Sequence, residues 1–396
     1  MERVVVGKSR KTVLVIFSLG MSLTRWKEMG LLQKEKIIFS QYLKSNLASH
    51  VILFTYDSND LGLLDEEQQR GNFLSSIEVI PAPKWAKNTI GKIIYSLIAP
   101  LLKREYFKSA HVLINIQTSG AWTGLIAQLL LRKRFVYRYG HSLWRRHLDR
   151  KQFCRFLLSW TVDRLLTRTA SYSLVCTDRD YRYANKATNI NVCPNFIDTA
   201  NIERQLESVW ELRLERGVFV GRLMPFKNLL NLISACAVCN LPLDIIGDGA
   251  LREQLIEHAK KVGADCRFLG LIPNEEIRIK LLEYKYFFLV SRHEGMPKAL
   301  LEGMISSCVC IVSPHYGCTE IIDDKKNGLI ATGYTTDAIV MTINKARSIN
   351  KFRLASAAHE KVITNYSLNN VLSIHSKALN LSFSDDTPEL IDNGLS

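Results

Sequence analysis

Nothing in this sequence is long and apolar enough for a membrane span: no run reaches the ~18 consecutive apolar residues that a bilayer-crossing helix needs. The N-terminal stretch, M-E-R-V-V-V-G-K-S-R-K, holds too few apolar residues for the core of a secretory signal, so the protein is expected to stay in the cytoplasm. No second cysteine pair at zinc spacing accompanies the C-x-x-C of Cys236 and Cys239, which lies in an apolar helical run. All nine cysteines therefore read as buried small hydrophobes in a reducing compartment. G-x-G-x-x-G is missing as well, which removes a nicotinamide-type dinucleotide fingerprint. Acids are scarce in the first half: residues 1–200 carry 30 Lys+Arg against 15 Asp+Glu, and the totals of 52 and 38 leave 22 and 23 for the remainder. The halves thus carry about +15 and −1, which points to an anionic partner for the first.

What remains is a soluble globular composition, 47% hydrophobic and 23% charged, in 396 residues, enough for two domains with a core each. The β-branched run Thr12 to Ser18 followed by Leu19-Gly20 reads as a first strand and its turn, with a helix over 30–45 and a second strand at Val51 to Tyr56, a βαβ unit. Lys92 to Phe107 is apolar with basic and aromatic ends, either a core helix or one that rests on a bilayer surface. Val112 to Ile116 and Phe135 to Tyr139 read as strands around a helix at Ala121 to Leu131, and the second empties into Gly140-His141-Ser142. From Arg132 to Arg168 eleven Lys+Arg face only Asp149 and Asp163, with aromatics between them. An anionic membrane interface suits this better than nucleic acid, because no nucleic-acid-binding module is recognisable. A solvated basic helix is the plainer alternative and leaves Trp144, Phe153 and Trp160 without a role.

A strand at Tyr172 to Cys176 and the turn V-C-P-N-F-I-D close the first domain near residue 200, and Ile202 to Arg216 reads as a charged connector. A second βα series follows, with strands at Gly217 to Gly221, Leu243 to Ile246, Arg267 to Leu269, Tyr286 to Val290 and Val309 to Val312. Such a doubly wound parallel sheet binds ligands at the carboxyl ends of its strands. Three loops from those ends are expected to converge: Gly221-Arg222 with Lys227, Gly247-Asp248-Gly249, and Glu294 to Lys298. In the last, Pro297 suits the first turn of a helix, so Gly295, Met296, Pro297, Lys298 and Ala299 would present backbone N–H groups to an anion. Glu294 at the mouth and Glu302 two turns below it would hold separate parts of one extended ligand. Two cations, a helix N-terminus and a distal carboxylate fit a nucleotide diphosphate with its ribose.

These residues carry a family resemblance. G-R-L-M-P-F-K-N-L, I-I-G-D-G-A-L-R-E-Q-L, H-E-G-M-P-K-A-L-L-E-G-M and G-C-T-E-I-I-D-D-K-K-N-G-L-I, in that order, resemble the successive motifs of the retaining GT4-family glycosyltransferases. The resemblance covers residues 190–335 closely and the first half loosely. It implies an α/β GT-B fold, two Rossmann-like doubly wound parallel-sheet domains facing each other across a cleft. It also implies that Arg222 and Lys227 neutralise the donor diphosphate, that Glu302 accepts the ribose hydroxyls, and that Glu294 with the amides of Gly295 to Lys298 contacts the donor sugar. His141 would reach the sugar near the reacting carbon. Gly20, Gly221 and Gly247 would line the donor's surroundings, Gly20 in a loop that lacks the family's usual double glycine. Ser306-Ser307-Cys308 replaces the family's usual glycine before the next strand.

The resemblance implies a C-terminal helix over Tyr366 to Leu381 that returns to the first domain, and the sequence makes 382–396 a polar, disordered tail. It implies no metal and no cofactor beyond the nucleotide-sugar substrate. The acceptor expected is an anionic glycolipid, lipopolysaccharide or polysaccharide at the inner face of a membrane, held by the basic first domain, with no nucleic acid involved. The alternatives are an epimerase or transferase of the same fold acting on soluble substrates, and a non-catalytic basic module for membranes or nucleic acid.

Overall fold

The computed structural model describes residues 11–28, 32–140, 143–149, 151–184, 189–199 and 207–381. The chain divides after Cys193 and again after Val371, so that the first unit takes the stretches on either side and the second is 194–371. The expected tail at 382–396 lies outside the described residues.

The first unit is built on a parallel sheet of seven strands: β1 (Thr12–Ile16), β2 (His50–Phe54), β3 (Ile77–Ile80), β4 (Val112–Asn115), β5 (Arg134–Tyr139), β6 (Tyr172–Val175) and β7 (Ile190–Val192), ordered 3-2-1-4-5-6-7. The central strands are fully buried, T-V-L-V-I and V-L-I-N, which is what a sheet covered on both faces demands. The order reverses between β1 and β4, and Gly20, at φ +78°, turns the chain just beyond β1.

The expected single helix over Lys92 to Phe107 is two, Thr89–Leu102 and Arg104–Ser109, broken at Lys103 with Pro100 in the last turn of the first. Of the nine cysteines, seven are buried, but Cys154 is exposed on the helix Phe153–Thr169 and Cys266 is half-exposed on an edge strand, so the expectation of uniform burial fails there. Trp144 is absorbed by packing: its Nε1–H donates to the Tyr139 hydroxyl (3.1 Å) and its ring lies 4.7 Å from that of Tyr183.

The C-terminal helix runs Leu368–Leu379, separated at Ser367 from the helix Lys351–Tyr366. From Leu372 onward it belongs to the first unit, where buried His375 hydrogen-bonds through Nδ1 to the Tyr42 hydroxyl and Arg134 donates to the Ala378 carbonyl at 2.9 Å. Burial, with the charge of Arg138, holds the His375 imidazole down to about 3, so it is neutral.

The second unit has six parallel strands: β8 (Leu214–Val220), β9 (Leu243–Ile246), β10 (Cys266–Gly270), β11 (Tyr284–Leu289), β12 (Val309–Val312) and β13 (Leu329–Ile330), ordered 10-9-8-11-12-13. The supposed connector before it is already structured from Glu207, in the helix Glu207–Glu211 with Trp210 buried, and β8 starts at Leu214. Near the amino ends of these strands Asp244, fully buried in β9, meets Arg216 (2.8 Å), Arg267 (2.7 Å) and the Tyr284 hydroxyl (2.6 Å). The reversal of strand order falls between β8 and β11, so their carboxyl ends splay apart and open a crevice there.

Candidate functional site

The crevice in the second unit is edged by the loops after β8, β9 and β11, and direct bonds hold them together. Gly221 N–H donates to Ile246 O (3.0 Å) and Leu223 N–H to Asp248 O (3.0 Å), zipping the first loop to the second. That approach requires glycine at 247: with φ at +131°, a Cβ there would stand 2.0 Å from the Gly221 carbonyl oxygen. Arg222 is exposed on this loop, and among the described residues its guanidinium has no ion-pair partner. A 3₁₀ turn, Pro225–Lys227, folds the loop back, and Arg292 N–H donates to Phe226 O (2.7 Å), joining it to the loop after β11.

Lys227 Nζ then lies 2.6 Å from Glu294 Oε1, with the two side chains 13% and 12% exposed. The pair fixes both side chains at the crevice through one carboxylate oxygen of Glu294. The Lys227 ammonium also sits 5.4 Å from the centroid of the Phe226 ring.

The Glu294 loop is held from its other side by His315, after β12. His315 Nδ1 lies 3.2 Å from Glu294 N and 3.3 Å from Gly317 N, both of them donors, so this nitrogen carries the lone pair. A Cβ on Gly317 would come within 2.1 Å of the Gly295 carbonyl oxygen, so the two loops touch backbone to backbone. Sequence reasoning missed His315. A lone histidine after a strand carries no pattern, and only the register of β12 beside β11 puts it under the glutamate loop.

Pro297 proves to be the N-cap rather than a first-turn residue, and the helix is Lys298–Ile305. Its first-turn amides and positive dipole end face the same crevice, an arrangement suited to anions. Gly295, Lys298, Ala299 and Glu302 are all half-buried, Glu302 in the second turn of the helix. Met296 is pinned by Asn195, whose Nδ2 donates to the Met296 carbonyl (2.6 Å) and whose backbone N–H meets the thioether sulfur (3.1 Å). The structure thus brings Gly221, Lys227, Gly247 and Glu294 together, with Arg222 on the same loop. Gly20 belongs to the first unit, and His141 lies outside the described residues.

Residues 211–360, which contain this whole crevice, match the model of the family described as Glycosyl transferases group 1. The chain carries a glycosyl transferases group 1 domain. A relative of this domain is a Campylobacter jejuni alpha-1,4-N-acetyl-D-galactosaminyltransferase named for a diNAcBac-PP-undecaprenol-linked substrate, 32% identical over 28% of this chain and 33% of its own length. Another is the amylovoran biosynthesis glycosyltransferase AmsK of Erwinia amylovora, 27% identical over 58% of this chain and 59% of that protein. The chain therefore spans between about a third and three fifths of the length of these curated relatives. In fold the likeness extends further: the crystal structure of Anabaena Alr3699/HepE in complex with UDP superposes with a TM-score of 0.70 at 16% identity, covering 93% of this chain and 99% of that one. The fold class the motifs implied, α/β of GT-B type with two Rossmann-like parallel sheets, is the one found.

Proposed function

We propose that the protein transfers a sugar from a UDP- or GDP-linked donor to a lipid-linked or cell-surface saccharide acceptor, with retention at the anomeric carbon. The observation that carries this reading is the Lys227–Glu294 pair, 2.6 Å apart, at the switch point of a Rossmann-ordered sheet and beside a helix N-terminus. A nucleoside diphosphate bound there has its charge met by Arg222, Lys227 and the first turn of Lys298–Ile305. Glu302 takes the ribose hydroxyls. Glu294, oriented by Lys227 and His315, positions the donor sugar.

In the reaction the bond between the anomeric carbon and the diphosphate oxygen breaks as the acceptor oxygen bonds that carbon from the same face. The acceptor proton passes to the departing phosphate oxygen. Cations and helix dipole stabilise the leaving charge in place, which lowers the barrier without a protein nucleophile. Glu294 is a positioning group in this scheme rather than a general base.

The acceptor class rests on the relatives' names, one for an undecaprenol-linked saccharide and one for amylovoran, and on the +15 charge of residues 1–200, which suits an anionic partner. A peripheral position at the cytoplasmic face of the inner membrane would suit such acceptors. Among the described residues no helix is long and apolar enough to cross a bilayer. A thermal-shift screen with UDP, GDP and their sugars tests the donor site. A ligand at 100 times its Kd stabilises by about 2.7 kcal/mol, and the shift must vanish in Arg222→Ala or Lys227→Ala protein that still unfolds cooperatively. An undiminished shift in both variants removes the assignment.

A further inference from the structure

Three helices of the first unit, Thr89–Leu102, Trp122–Leu131 and Phe153–Thr169, lie side by side in that order. The first is locked to the second by Trp122 Nε1–H donating to Ser96 Oγ (2.8 Å) and the Thr123 hydroxyl to Ser96 O (2.7 Å). The second is tied to the third by Gln128 Nε2–H donating to Thr169 O (2.6 Å). The inward side of the first helix carries Tyr95, Ser96, Ala99 and Pro100, all buried. Its outward side carries Ile90, Ile94, Leu97 and Leu101, exposed by 69%, 46%, 45% and 58%, at steps of four, three and four residues, which draws one stripe along the helix. The stripe continues onto neighbouring helices through Leu129 (68%) and Leu158 (69%). Apolar exposure at helical spacing across three neighbouring helices is a surface that water disfavours.

The charges around it are mostly basic. Lys84 and Lys87 stand exposed before the first helix and Arg104 and Lys108 after it, with Glu105 as the one acid between residues 84 and 109. The middle helix has no charged residue and ends in exposed Arg132. The third exposes Arg155 and Arg168, and its single acid, Asp163, is buried. Trp85, half-exposed ahead of the stripe, packs edge-on against Tyr95 and adds an amphipathic ring at the boundary. Apolar side chains at the centre, a basic rim and a boundary tryptophan match the layers of an anionic bilayer: acyl chains, phosphate headgroups and the interface between them.

We infer that this three-helix face docks on an anionic lipid bilayer, burying the Ile90–Leu101 stripe among the outer acyl segments while Lys84, Lys87, Arg104, Arg132 and Arg155 meet headgroup phosphates. This gives the membrane-facing part of the proposed function a defined surface. Its test reads vesicle binding, which requires no catalysis, so failure of the sugar-transfer reading leaves it standing and the reverse also holds.

The test is flotation of the full-length protein with vesicles of phosphatidylcholine alone or mixed with phosphatidylglycerol. The double variant Ile94→Glu/Leu97→Glu is compared with Leu271→Glu, an equally non-polar exposed site in the second unit (80% exposed). Wild type and Leu271→Glu float with anionic vesicles and detach as salt rises. The double variant, unfolding at the wild-type temperature, loses roughly tenfold or more of its partitioning, since two leucine-sized side chains no longer leave water. Brominated lipid quenches wild-type tryptophan fluorescence, and Trp85→Phe removes most of that quenching. Equal binding to neutral and anionic vesicles, or unchanged binding by the double variant, overturns the inference. So does a concentration-dependent dimer in sedimentation that the double variant abolishes, with no vesicle binding by either protein, because the face would then be covered by a second copy.

Discussion

The backbone N–H of Glu294 lies 3.2 Å from Nδ1 of His315, which also faces the N–H of Gly317. One imidazole nitrogen therefore holds the glutamate loop against the loop after β12. His315→Ala removes the acceptor from both donors, and we expect about tenfold weaker nucleotide binding by calorimetry with roughly 1–2 kcal/mol lost in urea unfolding. His315→Asn, which keeps a short side-chain acceptor, recovers part of both. Unaltered binding in His315→Ala would mean that the loop holds its shape unaided.

Replacing Lys227 separates folding from ligand recognition. Lys227→Met leaves the Glu294 carboxylate, 12% exposed, without its cation, at a cost of about 1–3 kcal/mol, and abolishes the nucleotide-induced thermal shift. Lys227→Met/Glu294→Gln restores the stability, since no charge is left unpaired, while the thermal shift stays absent. A double variant that binds nucleotide normally would show the pair to be structural.

Two glycines should respond in opposite directions to alanine. At Gly247 a Cβ meets a backbone oxygen at 2.0 Å, so Gly247→Ala must part the loops after β8 and β9, costing at least ~2 kcal/mol and most nucleotide affinity. Gly62 lies within the helix Asp60–Gln69 with nothing within 4 Å of a Cβ, and Gly62→Ala should raise stability by about 0.5–1 kcal/mol. Melting temperatures of the two variants check both signs.

Asp163 gives the first unit an unusual pH dependence. Its Oδ1 accepts from the Tyr137 hydroxyl (2.9 Å), while Oδ2 is buried and has no hydrogen-bond partner among the described residues. Burial pushes its carboxyl up from 3.8 to about 7, against the hydrogen bonds that favour the anion. Between these values the folded protein keeps a proton that the unfolded chain has released, so this contribution to stability is present in acid and declines as pH rises through about 4 to 7. Asp163→Asn, which keeps the shape of the protonated acid, should be more stable than wild type near pH 8, by on the order of 2–4 kcal/mol, and close to it near pH 4. Urea midpoints at the two pH values decide it.

The buried strands were legible because parallel sheets leave continuous apolar runs such as T-V-L-V-I and Y-K-Y-F-F-L. β3 was not, since I-E-V-I is four residues long with Glu78 half-exposed on an edge strand. The break at Lys103 escaped because hydropathy continues through it. In the candidate site, cations, glycines and glutamates in loops after strands carry a local pattern, and the Lys227–Glu294 meeting follows from them. His315 and Asn195 act through contacts 21 and 101 residues away along the chain, which only strand order determines. The basic segment from Arg132 to Arg168 was legible as charge but not as surface: packing takes Trp144 inward, while Phe153 and Leu158 stay outside.

The return of the C-terminal helix to the first unit has a consequence for synthesis. Tyr42 and Arg134 find His375 and Ala378 more than 240 residues later in the sequence. The ribosome therefore delivers residues 194–371 as an uninterrupted segment before the first unit has received its closing helix. Domains ordinarily mature in the order in which they are translated. Here the segment made second can mature first, and the one begun first waits, its basic helices already made, for residues 372–381.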